Sequence, residues 1–264
     1  MRTPDPIQVR WTSAFLDLPA EVHDVGTAFW RSVTGTSVSG PRGDRGQFAT
    51  LLPGDGDAYL RVQRLAGGPR VHLDLHVDDV GAAARRAEAL GARVLLSASH
   101  VVLGSPGGFV FCFVLDRQGH RRPGPVVGAR GGRSLVDQLA LDAPAHLAEP
   151  ELTFWSALTG WSPDGDRAGV LVPLVRPAGM PLRLMVQRLG ADDGRTQVSG
   201  HLDLAAGGPD RRVVVAEHVD LGARVLHEAA RWTVLRDPAG SVYCLTDRDP
   251  ATGRLPVGAT RRLG

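Results

Sequence analysis

The 264-residue chain contains a long internal repeat. The phrase FWRSVTG at residues 29–35 returns as FWSALTG at 154–160, a shift of 125, and HLDL at 72–75 returns at 201–204, a shift of 129. Because the order of the phrases is kept while the shift rises slowly, a tandem duplication with small loop insertions is the simplest explanation. We therefore expect two copies of one fold, with a first domain at 1–125, a linker at 126–133, a second domain at 134–250 and a C-terminal tail at 251–264.

Each copy alternates short strands with helices. Strands are predicted where apolar residues recur with a period of two, and helices where a polar cap and a glycine stop enclose helical spacing. In the first copy we predict strands at 11–18, 47–52, 59–65, 71–77, 93–96, 101–104 and 109–115 and helices at 19–34 and 80–90, the second helix being capped by Asp78 or Asp79 and ended by Gly91. In the second copy we predict strands at 135–142, 169–174, 182–189, 201–206 and 241–246, a helix through Phe154 and Trp155 to Thr159, and a weaker helix that ends at Leu221. Each copy is thus two β-α-β-β(-β) modules.

A stretch rich in glycine, proline and arginine separates the copies. Residues 118–133 (QGHRRPGPVVGARGGR) are typical of a linker that runs over the protein surface. The tail repeats part of this linker, because Pro256-Val257-Gly258-Ala259 echoes residues 125–129. The second copy therefore ends as the first one does.

Charge and composition argue against two classes of partner. The 30 basic and 28 acidic residues leave a formal charge of +2, and only 5% of the residues are aromatic, which disfavours nucleic acid. The longest apolar stretch, residues 109–115, is far shorter than the roughly 20 residues that span a bilayer. The start of the chain lacks the apolar core of a signal peptide, so a soluble, cytoplasmic protein is expected. Cys112 and Cys244 lie at equivalent places in separate copies and are expected to be reduced, without a disulfide.

The strand at 71–77 has a polar and an apolar face. Successive strand side chains point to opposite sides, so His72, Asp74 and His76 share one face while Leu73 and Leu75 lie on the other. One face therefore belongs to the core, and the other lines a polar cavity or carries chemistry. The second copy keeps His201 and Asp203 but has Ala205 in the place of His76.

Three phrases resemble a known family. They are HLDLHVDD at 72–79, a helix that ends in LGARV, and the form DPxGxx(Y/F)C, which occurs at 237–244 and, with serine in place of aspartate, at 105–112. Together they resemble the vicinal oxygen chelate (VOC) superfamily, in its branch of glyoxalases, bleomycin-resistance proteins and dioxygenases. The similarity covers nearly the whole chain as two tandem glyoxalase-like domains. It implies an α+β fold in which paired β-α-β-β-β modules curl their sheets around a cavity, with the helices outside.

The resemblance also implies where a metal would be held. Metal-dependent members place ligands on the first, fourth, fifth and last strands of a copy. Those places hold Thr12, Gln63, His72 and Cys112 in the first copy and Asp137, Gln187, His201 and Cys244 in the second. Only the fifth-strand histidine matches, and neutral side chains replace both glutamates, so metal catalysis of the glyoxalase kind is not expected. A divalent metal ion held by His72, His201 or Asp137 is the alternative.

Side chains that face the two interiors are the candidate ligand-binding residues. They are Arg61, Gln63, His72, Asp74, His76 and Cys112 in the first copy and Gln187, His201, Asp203 and Trp232 in the second. His72 is also the candidate general base. For each of these residues the alternative is a structural hydrogen bond or ion pair. Because a polar group without a partner is costly in a closed core, the more polar first interior is expected to be the functional cavity.

The function favoured by these observations is small-molecule binding, to sequester or process a drug or secondary metabolite. One alternative is a metal-dependent lyase, isomerase or dioxygenase with altered ligands. Another is a metal-free enzyme that uses His72 as its base, and a third is a structural protein whose cavities are filled by side chains. A monomer is favoured, because two copies in one chain supply the pairing that single-domain relatives obtain by dimerising; a homodimer is the alternative.

Overall fold

The computed structural model describes residues 5–117 and 119–256. Gln118 at the start of the predicted linker, and the echo of that linker beyond residue 256, lie outside the described residues. The chain divides into two compact units. The first unit comprises Met1–Phe15, Arg70–Arg122 and Leu139–Gly200, and the second comprises Leu16–Pro69, Pro123–Gln138 and His201–Gly264. Each sequence copy therefore contributes residues to both units.

Ten elements belong to the first copy and ten follow them. The first ten are β1 (Val9–Pro19), α1 (His23–Val33), β2 (Ser37–Val38), β3 (Phe48–Leu52), β4 (Leu60–Leu65), β5 (Arg70–Val77), α2 (Val80–Ala89), β6 (Arg93–Ser97), β7 (Val101–Gly104) and β8 (Val110–Leu115). The others are β9 (Val126–Val127), β10 (Arg133–Ala143), α3 (Ala148–Thr159), β11 (Leu171–Pro173), β12 (Arg183–Arg188), β13 (Ser199–Ala205), α4 (Gly208–Asp220), β14 (Arg224–Glu228), β15 (Trp232–Arg236) and β16 (Val242–Thr246).

The strands form two sheets with the same internal order. The first sheet runs β2-β3-β4-β1-β5-β8-β7-β6, and the second runs β11-β12-β10-β13-β16-β15-β14, with β9 pairing to β10. The central pairs β5–β8 and β13–β16 are parallel, whereas the outer hairpins are antiparallel. Apart from β2 in the first sheet and β9 in the second, the second sheet repeats the first strand for strand. This confirms the predicted α+β fold of tandem paired modules.

Local signals explain most element boundaries. The Asp79 side chain accepts a hydrogen bond from the amide of Ala82 at 2.8 Å, so Asp79 caps α2. Gly91, with φ near +99°, lies just after that helix, in the left-handed conformation that glycine adopts without strain. The helix predicted at 19–34 begins only at His23, because β1 continues to Pro19.

Helix α4 forms over 13 residues despite the run of valines at 213–215. Arg211, Val214 and His218, spaced three and four apart, form its buried face. Burial of this face outweighs the lower helix propensity of β-branched residues. The two-residue strands β2 and β9 are additions to the predicted pattern, whereas β14 and β15 are the counterparts of β6 and β7 that the repeat implies.

Both faces of β5 are buried. Leu73 and Leu75 are fully enclosed, and His72, Asp74 and His76 on the opposite face are also buried. The polar side chains predicted to share a face are thus inside the protein and not on a solvated surface. Within 5–117 and 119–256, no helix combines the length and the apolar character needed to cross a bilayer.

Candidate functional site

The first candidate site lies on β5 and its parallel neighbour β8. The Cα atoms of Asp74 and Cys112 are paired in register across these two strands. The Nε2 atom of His72 lies 3.8 Å from Oδ1 of Asp74. His72, Asp74 and Cys112 bring one nitrogen, one oxygen and one sulfur within 4.8 Å of one another. We call these three residues the first triad.

Strand β1 adds two side chains to the same face. The ring of Phe15 stacks on that of His72, with centroids 4.5 Å apart and planes 8° apart. The hydroxyl of Ser13 lies 2.9 Å from Nε2 of His76. Thr12, which sequence comparison placed at the first-strand ligand position, lies on the opposite side of β1 by alternation, and its hydroxyl accepts a hydrogen bond from the amide of Leu182 at 3.4 Å. The residues that meet the histidines are therefore Ser13 and Phe15.

A line of polar groups leads outward from His76. Its Nδ1 atom lies 4.0 Å from Oδ1 of Asp116, and the other oxygen of Asp116 lies 3.1 Å from Nε2 of His120. Side-chain exposure rises from 3% at His76 through 14% at Asp116 to 39% at His120. Asp116 and His120 follow β8 in irregular chain, where no periodicity predicts the direction of a side chain. Sequence reasoning therefore missed them.

Ser13, His76 and Asp116 lie next to one another in space, as the serine, histidine and aspartate of a serine hydrolase triad do. Their geometry does not support nucleophilic catalysis. The 4.0 Å separation of His76 and Asp116 exceeds a hydrogen bond, and Ser13 has no exposed surface. No acyl group can reach a hydroxyl enclosed in this way. The pair of Ser13 and His76 is a buried hydrogen bond that orients the imidazole.

The second candidate site repeats the first triad on β13 and β16. The Nε2 atom of His201 lies 3.2 Å from Oδ1 of Asp203 and 3.5 Å from the sulfur of Cys244. The side-chain amide of Gln138 donates to the other oxygen of Asp203 at 2.5 Å. We call His201, Asp203 and Cys244 the second triad. It is enclosed like the first one, since all three of its residues are buried.

The second site differs from the first in having a buried arginine, Arg248. The guanidinium of Arg248 lies on the carboxylate of Asp137, with Nη2 at 2.5 Å and Nε at 3.3 Å, and its Nη1 is 3.6 Å from Asp203. Burial alone would lower the pKa of Arg248, but the charges of Asp137 and Asp203 raise it above its ordinary value. Burial alone would also raise the pKa of Asp203, but the hydrogen bond from His201 and the charges of His201 and Arg248 lower it. The site is therefore a buried ion cluster in which one guanidinium contacts two carboxylates.

Four other predicted residues lie on other strands of the two units. Arg61 and Gln63 are half-buried on β4, in the unit that also contains the second triad. Trp232 is half-buried on β15 in that same unit, and Gln187 is half-buried on β12 in the unit of the first triad. Their roles as ligand-binding residues stay predictions.

A cavity of about 390 Å³ lies in the second unit, away from both triads. Its walls come from the end of α1, the turn between β3 and β4, the Pro123-Gly124-Pro125 segment and the start of β10. Most of the lining side chains are apolar, among them Leu51, Tyr59 and Leu135. The predicted site residues do not line it. Sequence reasoning missed it because its wall includes the segment that was interpreted as a linker.

A comparison with protein families decides the relationship. The family model of the glyoxalase-like domain matches residues 13–114 and again 138–246. The chain belongs to the glyoxalase-like domain family. The two matched regions are the two sequence copies, so the resemblance to the VOC superfamily, as two tandem glyoxalase-like domains, is confirmed. No curated protein matches the sequence closely enough to count as a relative.

Solved structures share the glyoxalase-like fold at low sequence identity. The Mn(II)-bound glyoxalase from Novosphingobium aromaticivorans has a TM-score of 0.59 at 15% identity, with 96% of this chain and 87% of that chain covered. The 2,3-dioxygenase LapB from a Pseudomonas species has a TM-score of 0.62 at 13% identity, covering 91% and 92%. The 2,2',3-trihydroxybiphenyl 1,2-dioxygenase from Sphingomonas wittichii has a TM-score of 0.60 at 16% identity, covering 95% and 93%. At such identities the likeness concerns the fold alone.

The donor atoms decide which metal ion the triads fit. Each triad offers one imidazole nitrogen, one carboxylate oxygen and one cysteine sulfur. A set that includes sulfur suits a borderline ion such as Zn²⁺. Non-haem Fe²⁺ oxygenases instead use two histidines and one carboxylate. The triads therefore fit a zinc-like ion and do not fit the iron donor set.

Proposed function

We propose that this glyoxalase-like protein binds a small molecule, a drug or secondary metabolite, at the first triad. The observation that carries the proposal is the line of polar groups from buried His76 through Asp116 to the exposed His120. In the second copy Ala205 and Arg248 stand at the places of His76 and Asp116 (205 − 129 = 76 and 248 − 132 = 116). A polar path toward solvent therefore belongs to the first site.

The chemistry of the first site favours a flat ligand with hydrogen-bonding groups. The rings of Phe15 and His72 stack face to face and are each 8% exposed, so a planar ligand would take the place of Phe15 against the imidazole. Asp74 and His76 next to it offer hydrogen-bonding groups on the same strand face. Few precisely placed polar groups beside aromatic surface are typical of small-molecule sites.

A panel of planar, polar antibiotics and metabolites, screened by thermal shift, identifies a binder. Calorimetry then compares variants. His72→Ala is expected to weaken binding by about tenfold or more, roughly 1.4 kcal/mol, because it removes the stacking ring. His201→Ala is the matched control, since it removes the equivalent imidazole of the second triad, and it is expected to leave the affinity nearly unchanged. The reverse order would assign the function to the second site.

Metal-dependent catalysis is the second candidate, and the convergence of three different donors in the first triad favours it. His72, Asp74 and Cys112 would hold a zinc-like ion, which would supply a Lewis acid at this place. Asp116 and His120 would then hold and move protons near the site. His72 as a metal-free general base is the remaining alternative, and it needs no bound ion.

Elemental analysis separates these candidates. The metal-dependent candidate requires about one equivalent of zinc in protein purified without chelator, lost in His72→Ala and in Cys112→Ser but kept in Cys244→Ser. Ligand binding by protein that carries no metal, with unchanged affinity after added Zn²⁺, would leave small-molecule binding as the function.

A further inference from the structure

The second site contains more charge than a buried structural contact needs. Asp137 on β10 and Asp203 on β13 are both almost fully enclosed, and so is Arg248, which follows β16. Removing a carboxylate or a guanidinium from water costs several kcal/mol per ion, so such groups are retained only with close partners of opposite charge. Three charged side chains from three different elements therefore depend on one another.

The guanidinium lies at the centre of this cluster. Two of its nitrogens donate hydrogen bonds to Asp137, and the third forms an ion pair with Asp203. Asp203 is in turn within 3.2 Å of His201, whose Nε2 atom is 3.5 Å from the sulfur of Cys244. Two carboxylates, one imidazole and one thiol are thus connected to a single buried cation.

The first copy has neither Asp137 nor Arg248 at the equivalent places. Its residue at the place of Asp137 is Thr12 (137 − 125 = 12), and its residue at the place of Arg248 is Asp116 (248 − 132 = 116). The triads themselves are the same in the two copies. The extra carboxylate and the arginine are therefore present together in one copy and absent together from the other, as expected for a charge-compensated pair.

We propose that Arg248 is the built-in cation of the second site, and that it keeps the second triad closed to a divalent metal ion. The triad offers an imidazole, a carboxylate and a thiol within 4.8 Å of one another, and this donor set suits an ion such as Zn²⁺ or Co²⁺. The guanidinium already supplies one positive charge there and contacts both carboxylates. The wild-type second site is then unable to take up the ion, and removing the guanidinium opens it.

The test uses Co²⁺ titration of the full chain, in a Cys112→Ser background that removes the thiol of the first triad. Arg248→Met replaces the guanidinium with an uncharged side chain of similar length. We expect the Arg248→Met protein to bind one Co²⁺ per chain, about 100-fold or more tightly than its parent, because the metal restores the missing positive charge. A thiolate-to-cobalt absorption band should accompany binding, and thermal unfolding should shift upward with added metal.

Two controls assign the donors and the charge. Adding Cys244→Ser to Arg248→Met should abolish the thiolate band. Arg248→Lys keeps a positive charge and should keep the site closed. If the parent binds Co²⁺ through Cys244 as tightly as the Arg248→Met protein, or if the Arg248→Met protein shows no thiolate band, the proposal is wrong.

Loss of folding is also informative. An Arg248→Met protein that refolds from urea with Zn²⁺, and fails to refold without it, supports the proposal, because the metal then replaces the guanidinium. A protein that refolds in neither condition overturns it. The readouts concern the second site alone, so they are independent of ligand binding at the first triad.

Discussion

Burial gives one histidine an unusual proton affinity. Enclosure of His218 lowers its pKa from 6.5 to about 4, and its Nδ1 atom lies 2.9 Å from the hydroxyl of Tyr243. Between pH 4 and 6.5 His218 binds a proton in the unfolded chain but not in the folded protein, so the free energy of unfolding rises with pH in this window. The stability that His218 contributes is fully present above pH 6.5 and is lost as the pH falls through 4.

We predict that this residue costs about 2 kcal/mol of unfolding free energy when the pH is lowered from 7 to 5. Urea unfolding at the two pH values measures the loss. In His218→Gln, which keeps a hydrogen-bonding partner for Tyr243 but does not titrate, the loss should be smaller by that amount. Other groups titrate equally in both proteins, so an identical pH dependence would show that His218 is not the cause.

Single residues also show where sequence reasoning succeeds. Strand alternation placed His72, Asp74 and His76 on one face correctly because the period of two is a property of the backbone. Alternation gives no direction for a residue outside a strand, so Asp116 and Arg248, each just after a final strand, were missed. Asp137 and Arg248 are 111 residues apart in the sequence, and no pattern shows that the two would meet.

At the level of elements, each unit places a tryptophan indole on a buried carboxylate. In the second unit the Trp30 indole donates to Asp237 at 2.7 Å. In the first unit the equivalent turn begins with Ser105, and the Trp155 indole donates instead to Glu151, one turn earlier on α3, at 2.8 Å. Glu151 also accepts from the hydroxyl of Ser105 and the amide of Gly107. The carboxylate missing from the turn is thus supplied by the helix.

The glycine that makes room at these contacts also changes place between turn and helix. A Cβ atom at Gly107 would lie 2.8 Å from Oε1 of Glu151, so the carboxylate fits because residue 107 is glycine. The place of Glu151 in the first copy is Gly26 (151 − 125 = 26), where a Cβ atom would lie 2.8 Å from that of Ala239. In each pair a glycine therefore faces the larger residue: Gly107 of the turn faces Glu151 of the helix, and Gly26 of the helix faces Ala239 of the turn.

We predict that Glu151→Ala lowers the free energy of unfolding by about 3 kcal/mol, because three buried donors lose their acceptor. Glu149→Ala on the same helix is the control, since its exposed ion pair with Arg167 is worth below about 1 kcal/mol. Urea unfolding measures both. Combining Ser105→Asp with Glu151→Gly should recover stability relative to Glu151→Gly alone, because aspartate then accepts from the turn as Asp237 does. A double variant no more stable than the single one would contradict this account.

Element prediction failed where tertiary contacts decide. The long strands and α2 follow from periodicity and caps, which act locally. Strands β2 and β9 have two residues each and exist because a neighbouring strand offers hydrogen bonds, which no local pattern reveals. The helix predicted to end at Leu221 is present as α4, although its valines favour a strand by propensity, because its buried face decides its conformation.

At the scale of the whole molecule, the edges of the sheets bear on self-association. Edge strand β6 is exposed along its length, with Leu95 and Leu96 each more than half exposed. An exposed apolar edge is a template for pairing with another chain. The register of β6 against β7 shifts between Val94 and Leu96, and that of β14 against β15 shifts between Val225 and His227. Such irregularities bend an edge and disfavour regular pairing.

The strands at the opposite edges of the sheets are too short to pair well with another chain. Strand β2 has two residues and β11 has three, so neither offers a continuous ladder to a partner chain. The tandem duplication also places two glyoxalase-like domains in one chain, which removes the need to pair two separate chains. Both arguments favour a monomer.

We predict that light scattering coupled to size exclusion gives the mass of one chain, 28.0 kDa, across a range of protein concentrations. If a dimer forms through β6, its share should rise with concentration and fall in Leu96→Lys, because a charge on the edge strand opposes strand pairing. Leu255→Lys, an exposed substitution outside the strands, is the control for added charge. A stable mass near twice that of the chain, unchanged by Leu96→Lys, would show that the protein dimerises through another surface and that duplication has not replaced self-association.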